Sequence, residues 1–357
     1  MKKILVLLFA GCIFVGGVAA QEFGEVEEAF GQFAKDLSSA LPFASTIGLN
    51  WSDSYIGNFP HLGVAVGGGA VGLPAEAFGK VLGTLSGGEL GSDLLSFLPP
   101  ELEEFGDSFG MPFPALPIVE ARLGGFFLPF DIGVKVGFIP EDVDTGEILP
   151  AGMGFDYELF GADVRFRIIE ERGLIPELIV GGGINFLRGG LSFATGEDIA
   201  IGGFEVPNEK DLSNPNTYDI SLKAPEFGFD WETTVFDVKA QLSKRLFIIT
   251  PYIGIGMTMG SSTVGGGAYT EVQAFKDGVP ISDEEWNEIA TALQSYGQEV
   301  PQLTKEGFTI SAKESGFATR VYGGTSINLL FLKLDLTGFY ELLSESLGLS
   351  AALRLQF

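Results

Sequence analysis

The chain has one cysteine, Cys12, and one histidine, His61, in 357 residues. A disulfide framework needs paired cysteines, and most metal clusters need several Cys or His ligands, so the chain offers material for neither and no metal or cofactor is expected. Long hydrophobic runs are also missing. Past the first twenty residues no window of eighteen or more is uniformly apolar, which argues against a helical membrane span. Basic residues are scarce: 21 Lys and Arg against 47 Asp and Glu give a formal net charge of −26. A chain of that sign cannot neutralise phosphates, which argues against nucleic-acid partners. Charges of either sign reach only 19%, whereas glycine (51) and phenylalanine (32) are abundant.

The first twenty residues read as a processing segment. Lys2 and Lys3 form a basic start, Ile4 to Val18 an apolar core, and Val18-Ala19-Ala20 a small-residue cleavage site before Gln21. The chain is therefore expected to be exported by a cleavable signal peptide, residues 1–20. Phe9-Ala10-Gly11-Cys12 also resembles a relaxed lipoprotein box, which would instead make Cys12 a lipid-bearing terminus.

At the other end, Leu347, Leu349, Ala351, Leu353, Leu355 and Phe357 alternate with Gly348, Ser350, Ala352, Arg354 and Gln356. Period two over a whole segment is a strand with one apolar and one wettable face. A terminal Phe on such a strand resembles the closing strand of bacterial outer-membrane β-barrels. That resemblance implies an assembly signal carried by Leu349, Leu353, Leu355 and Phe357. It also implies the barrel-assembly machinery and outer-membrane lipid as partners, and the outer membrane of a Gram-negative-type (diderm) bacterium as the location.

Between the ends, Phe23, Val26, Phe30, Phe33, Leu37 and Leu41 recur at helical steps, so residues 21–44 are expected to hold an amphipathic helix that Leu41-Pro42 ends. It would lie in the lumen as a plug or on the periplasmic side. From Ser45 the period becomes two. Candidate strands are 45–56, 61–73, 118–128, 130–139, 152–169, 175–194, 229–243, 246–262, 307–327, 329–341 and 346–357. Short turns (Asn58-Phe59-Pro60, Leu128-Pro129, Glu171-Arg172-Gly173, Ser243-Lys244-Arg245) alternate with long connections at 74–117, 195–228 and 263–306. The connections carry helical stretches at Glu76 to Leu85, Ser92 to Phe97 and Asp283 to Tyr296, the last opened by the capping pattern Ser282 to Glu285.

Short turns at one end and long polar loops at the other are the layout of a transmembrane barrel. The expected fold is all-β: a single antiparallel transmembrane β-barrel over 45–357, of about twelve strands within a range of ten to fourteen. The eleven candidates would start the first strand outside the cell. Either a strand is missed or merged, or residues 21–44 rise through the lumen before the wall begins.

Opposite the apolar face, the strands carry their charges. Eight basic residues (Arg122, Lys135, Arg165, Arg167, Lys239, Arg320, Lys333, Arg354) stand with five acidic ones (Glu120, Asp131, Asp163, Asp237, Asp335). A charge facing lipid at midplane costs about 2–4 kcal/mol, so this face is expected to line the lumen. The wall is thus slightly basic in an acidic protein, against the cation selectivity that the net charge suggests. These charges either pair across strands and rigidify the wall, or receive an acidic plug from helix 22–41 or a loop.

Gly67-Gly68-Gly69-Ala70-Val71-Gly72 has dinucleotide-loop spacing, but it lies in a period-two run, where glycine lets neighbouring backbone approach. His61 beside Pro60 falls in a turn on the periplasmic side, away from where barrel hydrolases keep their catalytic groups, so the chain is expected not to be an enzyme. The phenylalanines at strand ends (Phe126, Phe127, Phe130, Phe138, Phe186, Phe193, Phe227, Phe229, Phe331, Phe339) read as interfacial girdles. In its N-terminal segment and the apolar helical pieces of an early loop, the chain resembles the long-chain fatty-acid transporter family. It is shorter and lacks an Asn-Pro-Ala triplet near the mature N-terminus. The expected function is a channel for passive passage of small or hydrophobic solutes; the other reading is a non-transporting surface barrel, an adhesin or structural protein, acting through its acidic loops. Unboiled in detergent, the protein should migrate differently on a gel than after boiling; an unshifted band together with a water-soluble product would refute the barrel.

Overall fold

The computed structural model describes residues 31–32, 34–54, 61–73, 111–124, 129–139, 153–194, 199–208, 211–276, 278–282 and 308–356. A helix, α1 (34–44), comes first. The strands are β1 (His61–Leu73), β2 (Met111–Gly124), β3 (Phe130–Phe138), β4 (Met153–Ile169), β5 (Glu177–Ala194), β6 (Ile199–Asn208), β7 (Asp211–Ser243), β8 (Ile249–Lys276), β9 (Val279–Pro280), β10 (Phe308–Leu329), β11 (Leu332–Glu341) and β12 (Leu347–Gln356). All pairings are antiparallel. The ring runs β7-β5-β4-β3-β2-β1-β12-β11-β10-β8 and closes through β7 on β8. This is a single closed antiparallel barrel of 10 strands, the all-β class expected, with β6 and β9 as added partners of β7 and β8 beyond the ring.

Ten strands are fewer than the twelve expected, and the difference has a specific source. Residues 45–54 are not a strand: they follow α1 as an irregular segment inside the barrel. Their alternation of Ile47, Leu49 and Trp51 with small polar residues imitated a strand. Removing that candidate makes the count even, as single-chain bacterial barrels require. Pro42 does not end α1 either. Proline removes one amide from the helical ladder, yet the helix continues to 44, where the Ser45 and Thr46 hydroxyls donate to the carbonyls of Pro42 (2.8 Å) and Phe43 (2.7 Å). The signal segment 1–20, the loop helices at 76–85, 92–97 and 283–296, and Phe126, Phe127 and Phe357 lie outside the described residues.

β1 pairs with β12 so that Gly63 lies beside Gln356, which puts the C-terminus at the end where the β2–β3, β4–β5, β7–β8 and β10–β11 connections are short. We call this the turn end. Outward residues form an apolar belt: Val64 and Val66 on β1, Ile132, Val134 and Val136 on β3, Phe236 and Val238 on β7, Ile253, Ile255 and Met257 on β8, Leu353 and Leu355 on β12 are all exposed. Towards the loop end the belt stops at one cross-strand row. Phe138 pairs with Glu158, Glu158 with Arg188, Arg188 with Glu232, Glu232 with Thr263 and Thr263 with Lys313. Glu158 and Arg188 form an exposed ion pair just above the mutually tilted rings of Phe160 and Phe186, whose centroids are 6.2 Å apart. Of the expected girdle residues, Phe229 and Phe339 instead point inward and are buried, because their positions fall on the inner register of β7 and β11.

At the turn end two tips present large apolar side chains. Phe247 and Leu330 are almost wholly exposed, and both adopt positive φ (59° and 58°). A closed barrel with an apolar belt, wet at one rim, is the fold of a transmembrane β-barrel. Val134→Arg, which puts a charge on the belt, should destabilise the barrel by about 2–4 kcal/mol in urea unfolding from lipid vesicles. A loss below about 0.5 kcal/mol would mean that this face does not meet hydrocarbon.

Candidate functional site

Inside the barrel the two halves differ in chemistry. Towards the loop end the inward side chains are apolar: Ile118, Tyr157, Leu159, Leu187, Phe229, Trp231 and Tyr322 pack with Ala34, Leu37, Leu41, Phe43 and Ala44 of α1. Phe43 meets Phe339 edge-on with centroids 6.4 Å apart. Towards the turn end the inward side chains are charged, and residues 45–54 run down among them.

That segment has no ladder partner, so its backbone needs other donors. The wall supplies them at alternate residues. Lys135 Nζ donates to the carbonyls of Ser45 (2.7 Å) and Ile47 (2.5 Å). The Leu49 carbonyl accepts from Lys239 Nζ (3.1 Å) and Arg122 Nη2 (3.3 Å). The Trp51 carbonyl accepts from Gln241 Nε2 (2.9 Å) and Arg165 Nη1 (3.2 Å), and the Asp53 carbonyl from Arg165 Nη2 (2.9 Å). Arg122, Arg165 and Lys239 each hold a carbonyl and keep a second contact with a wall carboxylate.

Asp131 Oδ1 accepts from Arg122 Nη1 and from Arg165 Nε (3.0 Å), and its Oδ2 accepts from Arg165 Nη2 (2.8 Å). Asp163 takes Arg122 Nη2 (2.7 Å) and Lys239 Nζ (2.9 Å). Asp237 takes Asn185 Nδ2 (3.2 Å) and Arg320 Nη2 (3.4 Å), and Asp335 takes Arg354 Nη2 (3.1 Å). Ser326 donates to Asp335, and its Oγ also lies 2.6 Å from Ser52 Oγ. Glu120 takes the Trp51 indole N–H (2.6 Å).

Trp51 itself lies between two guanidinium groups, Arg354 at 4.5 Å and Arg122 at 5.5 Å from its ring. Desolvated cation–π contacts of this kind are worth about 2 kcal/mol. Its ring also fills the space beside Gly63, where a Cβ would stand 2.7 Å from the indole carbons. The bend that admits the ring is made by Gly48 (φ +88°) and Leu49 (φ 57°), and Asn50 Nδ2 donates to the carbonyls of Thr46 (3.2 Å) and Gly48 (2.9 Å) across it.

Asp53 lies one residue before the end of the described part of the segment. Its Oδ1 accepts from Arg354 Nη1 (3.0 Å), and Lys333 Nζ donates to its Oδ2 (2.8 Å). Arg245 Nη2 lies 3.5 Å from the same Oδ2. Arg245 belongs to the β7–β8 turn, whose position is fixed by Glu171 of the β4–β5 turn through the Arg245 amide (3.0 Å) and Lys244 (3.1 Å). Partial burial opposes ionisation of Glu171, but those donors outweigh it and hold its carboxyl below the ordinary value. Glu177 accepts from the amide and hydroxyl of Ser54, both at 2.8 Å.

Of the residues assigned to the lumen from the sequence, Glu120, Arg122, Asp131, Lys135, Asp163, Arg165, Asp237, Lys239, Arg320, Lys333, Asp335 and Arg354 are all buried in this one network. Arg167 stands apart. It is half-buried beside the bulge between Arg167 and Ile169, where its charge acts on Glu170 of the turn. The sequence reading missed the partners those residues hold: Ser52, Asp53, Ser326 and Trp51. Among the described residues, the acidic group of the N-terminal segment that meets the basic wall is Asp53; Glu25, Glu27 and Glu28 of the expected helix lie outside the described residues. The one signal for it was the odd strand count. His61, the first residue of β1, is half-buried, and its neighbourhood includes Asp53 and Lys333.

No protein-family model matches the sequence, and comparison with curated proteins returns no match. Solved structures do match. The outer membrane protease OmpT from Escherichia coli is 9% identical, with 86% of this chain and 100% of that chain covered, at TM-score 0.35. An outer membrane channel from Pseudomonas putida F1 is 8% identical (87% and 100% covered, TM-score 0.31). The translocator domain of the autotransporter NalP from Neisseria meningitidis is 7% identical (95% and 97% covered, TM-score 0.30). The likeness to the long-chain fatty-acid transporter family finds no support among these structures. One expectation is withdrawn: with an outer membrane protease among the matching structures, absence of enzymatic activity does not follow from the fold.

Asp131→Asn removes the counter-charge shared by Arg122 and Arg165. Breaking a buried pair from one side costs about 3–5 kcal/mol, and denaturant unfolding in detergent should show a loss of that size. A change below about 1 kcal/mol would place the network in contact with screening water.

Proposed function

We propose that the chain is an outer-membrane barrel whose lumen is held shut by its own residues 34–54, and that small or hydrophobic solutes pass when this segment is displaced. One observation carries the reading. The carbonyls of Ser45, Ile47, Leu49, Trp51 and Asp53 are bound by wall side chains, so the segment is seated in the barrel without being part of its sheet. A strand is tied to its neighbours by a ladder of main-chain bonds; this segment is tied by side chains, of which Arg122, Arg165 and Lys239 also hold wall carboxylates. Seating of that type separates filling the lumen from building the wall. Plugging by a helix or loop is a known state of large barrels. The apolar half around α1 supports passage of hydrophobic solutes through the loop end. In this reading the outward Leu349, Leu353 and Leu355 of β12, with Phe357, engage the assembly machinery that inserts the barrel into the outer membrane.

Planar-bilayer recordings test the reading. The unmodified protein should be mostly silent. Trp51→Ala removes contacts worth about 2 kcal/mol and should raise the open fraction by roughly tenfold or more, with heat-modifiable mobility retained. Equal silence of both proteins would favour the non-transporting surface barrel.

A further inference from the structure

The turn end of the segment has an electrostatic feature that seating alone does not require. Asp53 is one carboxylate facing three cations, Lys333 (2.8 Å), Arg354 (3.0 Å) and Arg245 (3.5 Å). The other acidic groups close to this point are Asp335, which holds the Nη2 and Nε of Arg354, and Glu177, which is engaged by Ser54; His61 is the remaining titratable neighbour. Ser52 Oγ adds a donor to Asp53 Oδ1 at 3.4 Å. The geometry of Lys333 and Arg354 is set from the wall: Lys333 pairs across the strands with Arg354, which would repel it were no anion between them. Two like charges directly opposite on neighbouring strands destabilise a sheet, so this pair is built around a negative charge. Arg245 is largely exposed, which opens the seat towards water at the turn end.

We propose that Lys333, Arg354 and Arg245 form a carboxylate-binding site, and that Asp53 is its built-in occupant. A small carboxylate-bearing anion takes the seat when Asp53 leaves it. The site then couples solute to segment, because an anion bound there competes with the contact that holds the end of residues 45–54. This rests on the proposed displacement only for its role in passage; the binding site itself is tested without any current. The alternating donors higher in the lumen make carbonyl contacts and are not part of it.

Asp53→Ala deletes a group of the size of formate. Thermal unfolding of the purified variant in detergent should begin at a lower temperature than that of the unmodified barrel. Sodium formate or acetate should restore most of the difference, while sodium chloride at equal ionic strength should restore much less. In Asp53→Ala combined with Lys333→Gln the rescue should disappear. If the single variant does not fold alone, refolding yield with and without formate reads the same effect. Equal effects of formate and chloride, or rescue that survives the loss of Lys333, would overturn the site. A silent Trp51→Ala channel alongside formate rescue would overturn the displacement reading and leave the site standing.

Discussion

The interior of this barrel depends on one constraint: every carbonyl of a segment that has left the sheet must find a donor away from bulk water. Five alternate carbonyls between Ser45 and Asp53 find theirs on Lys135, Lys239, Gln241, Arg122 and Arg165. Those side chains are long, so they cross from wall to segment. Most are cationic, so they in turn need the carboxylates of Asp131 and Asp163 beside them. The lumen charges and the segment's path are therefore one arrangement, and neither could be kept without the other. Space comes from the wall's glycines. At Gly161 a Cβ would stand 2.4 Å from Lys135 Cε, so the lysine that seats Ser45 and Ile47 lies where only hydrogen can stand.

This arrangement reconciles two facts that pull apart in the composition. The chain carries a formal net charge of −26, yet its turn-end lumen is rich in arginine and lysine. The basic side chains are where backbone dipoles and a few carboxylates can use them. The net charge of the chain says little about the chemistry of this part of the lumen.

Much of the barrel was legible before any coordinates. The alternation of Asp131, Lys135 and their apolar neighbours on β3 fixed which face is inward, and strands β1, β3, β11 and β12 lie within a few residues of where periodicity put them. What failed did so for physical reasons. Residues 45–54 alternate without a sheet: apolar Ile47, Leu49 and Trp51 and the polar Thr46, Asn50 and Ser52 between them are all buried in the lumen. Period two therefore does not by itself mean a strand in the wall. β7 and β8 run past their expected starts and ends because hairpins continue beyond the belt, where alternation no longer separates lipid from lumen. Asp53 could not be singled out, since its partners lie 280 and 301 residues away in the chain.

The turn tips carry a consequence for how the barrel sits. A turn in water that needs positive φ takes glycine or asparagine, as Gly173 does in the β4–β5 turn. Phe247 and Leu330 hold the same backbone region at a cost of about 1–2 kcal/mol each, and both hold out a large apolar side chain. An apolar or interfacial surrounding rewards that choice. The seat of Asp53 opens at this same end, where exposed Arg245 stands two residues from the exposed ring of Phe247.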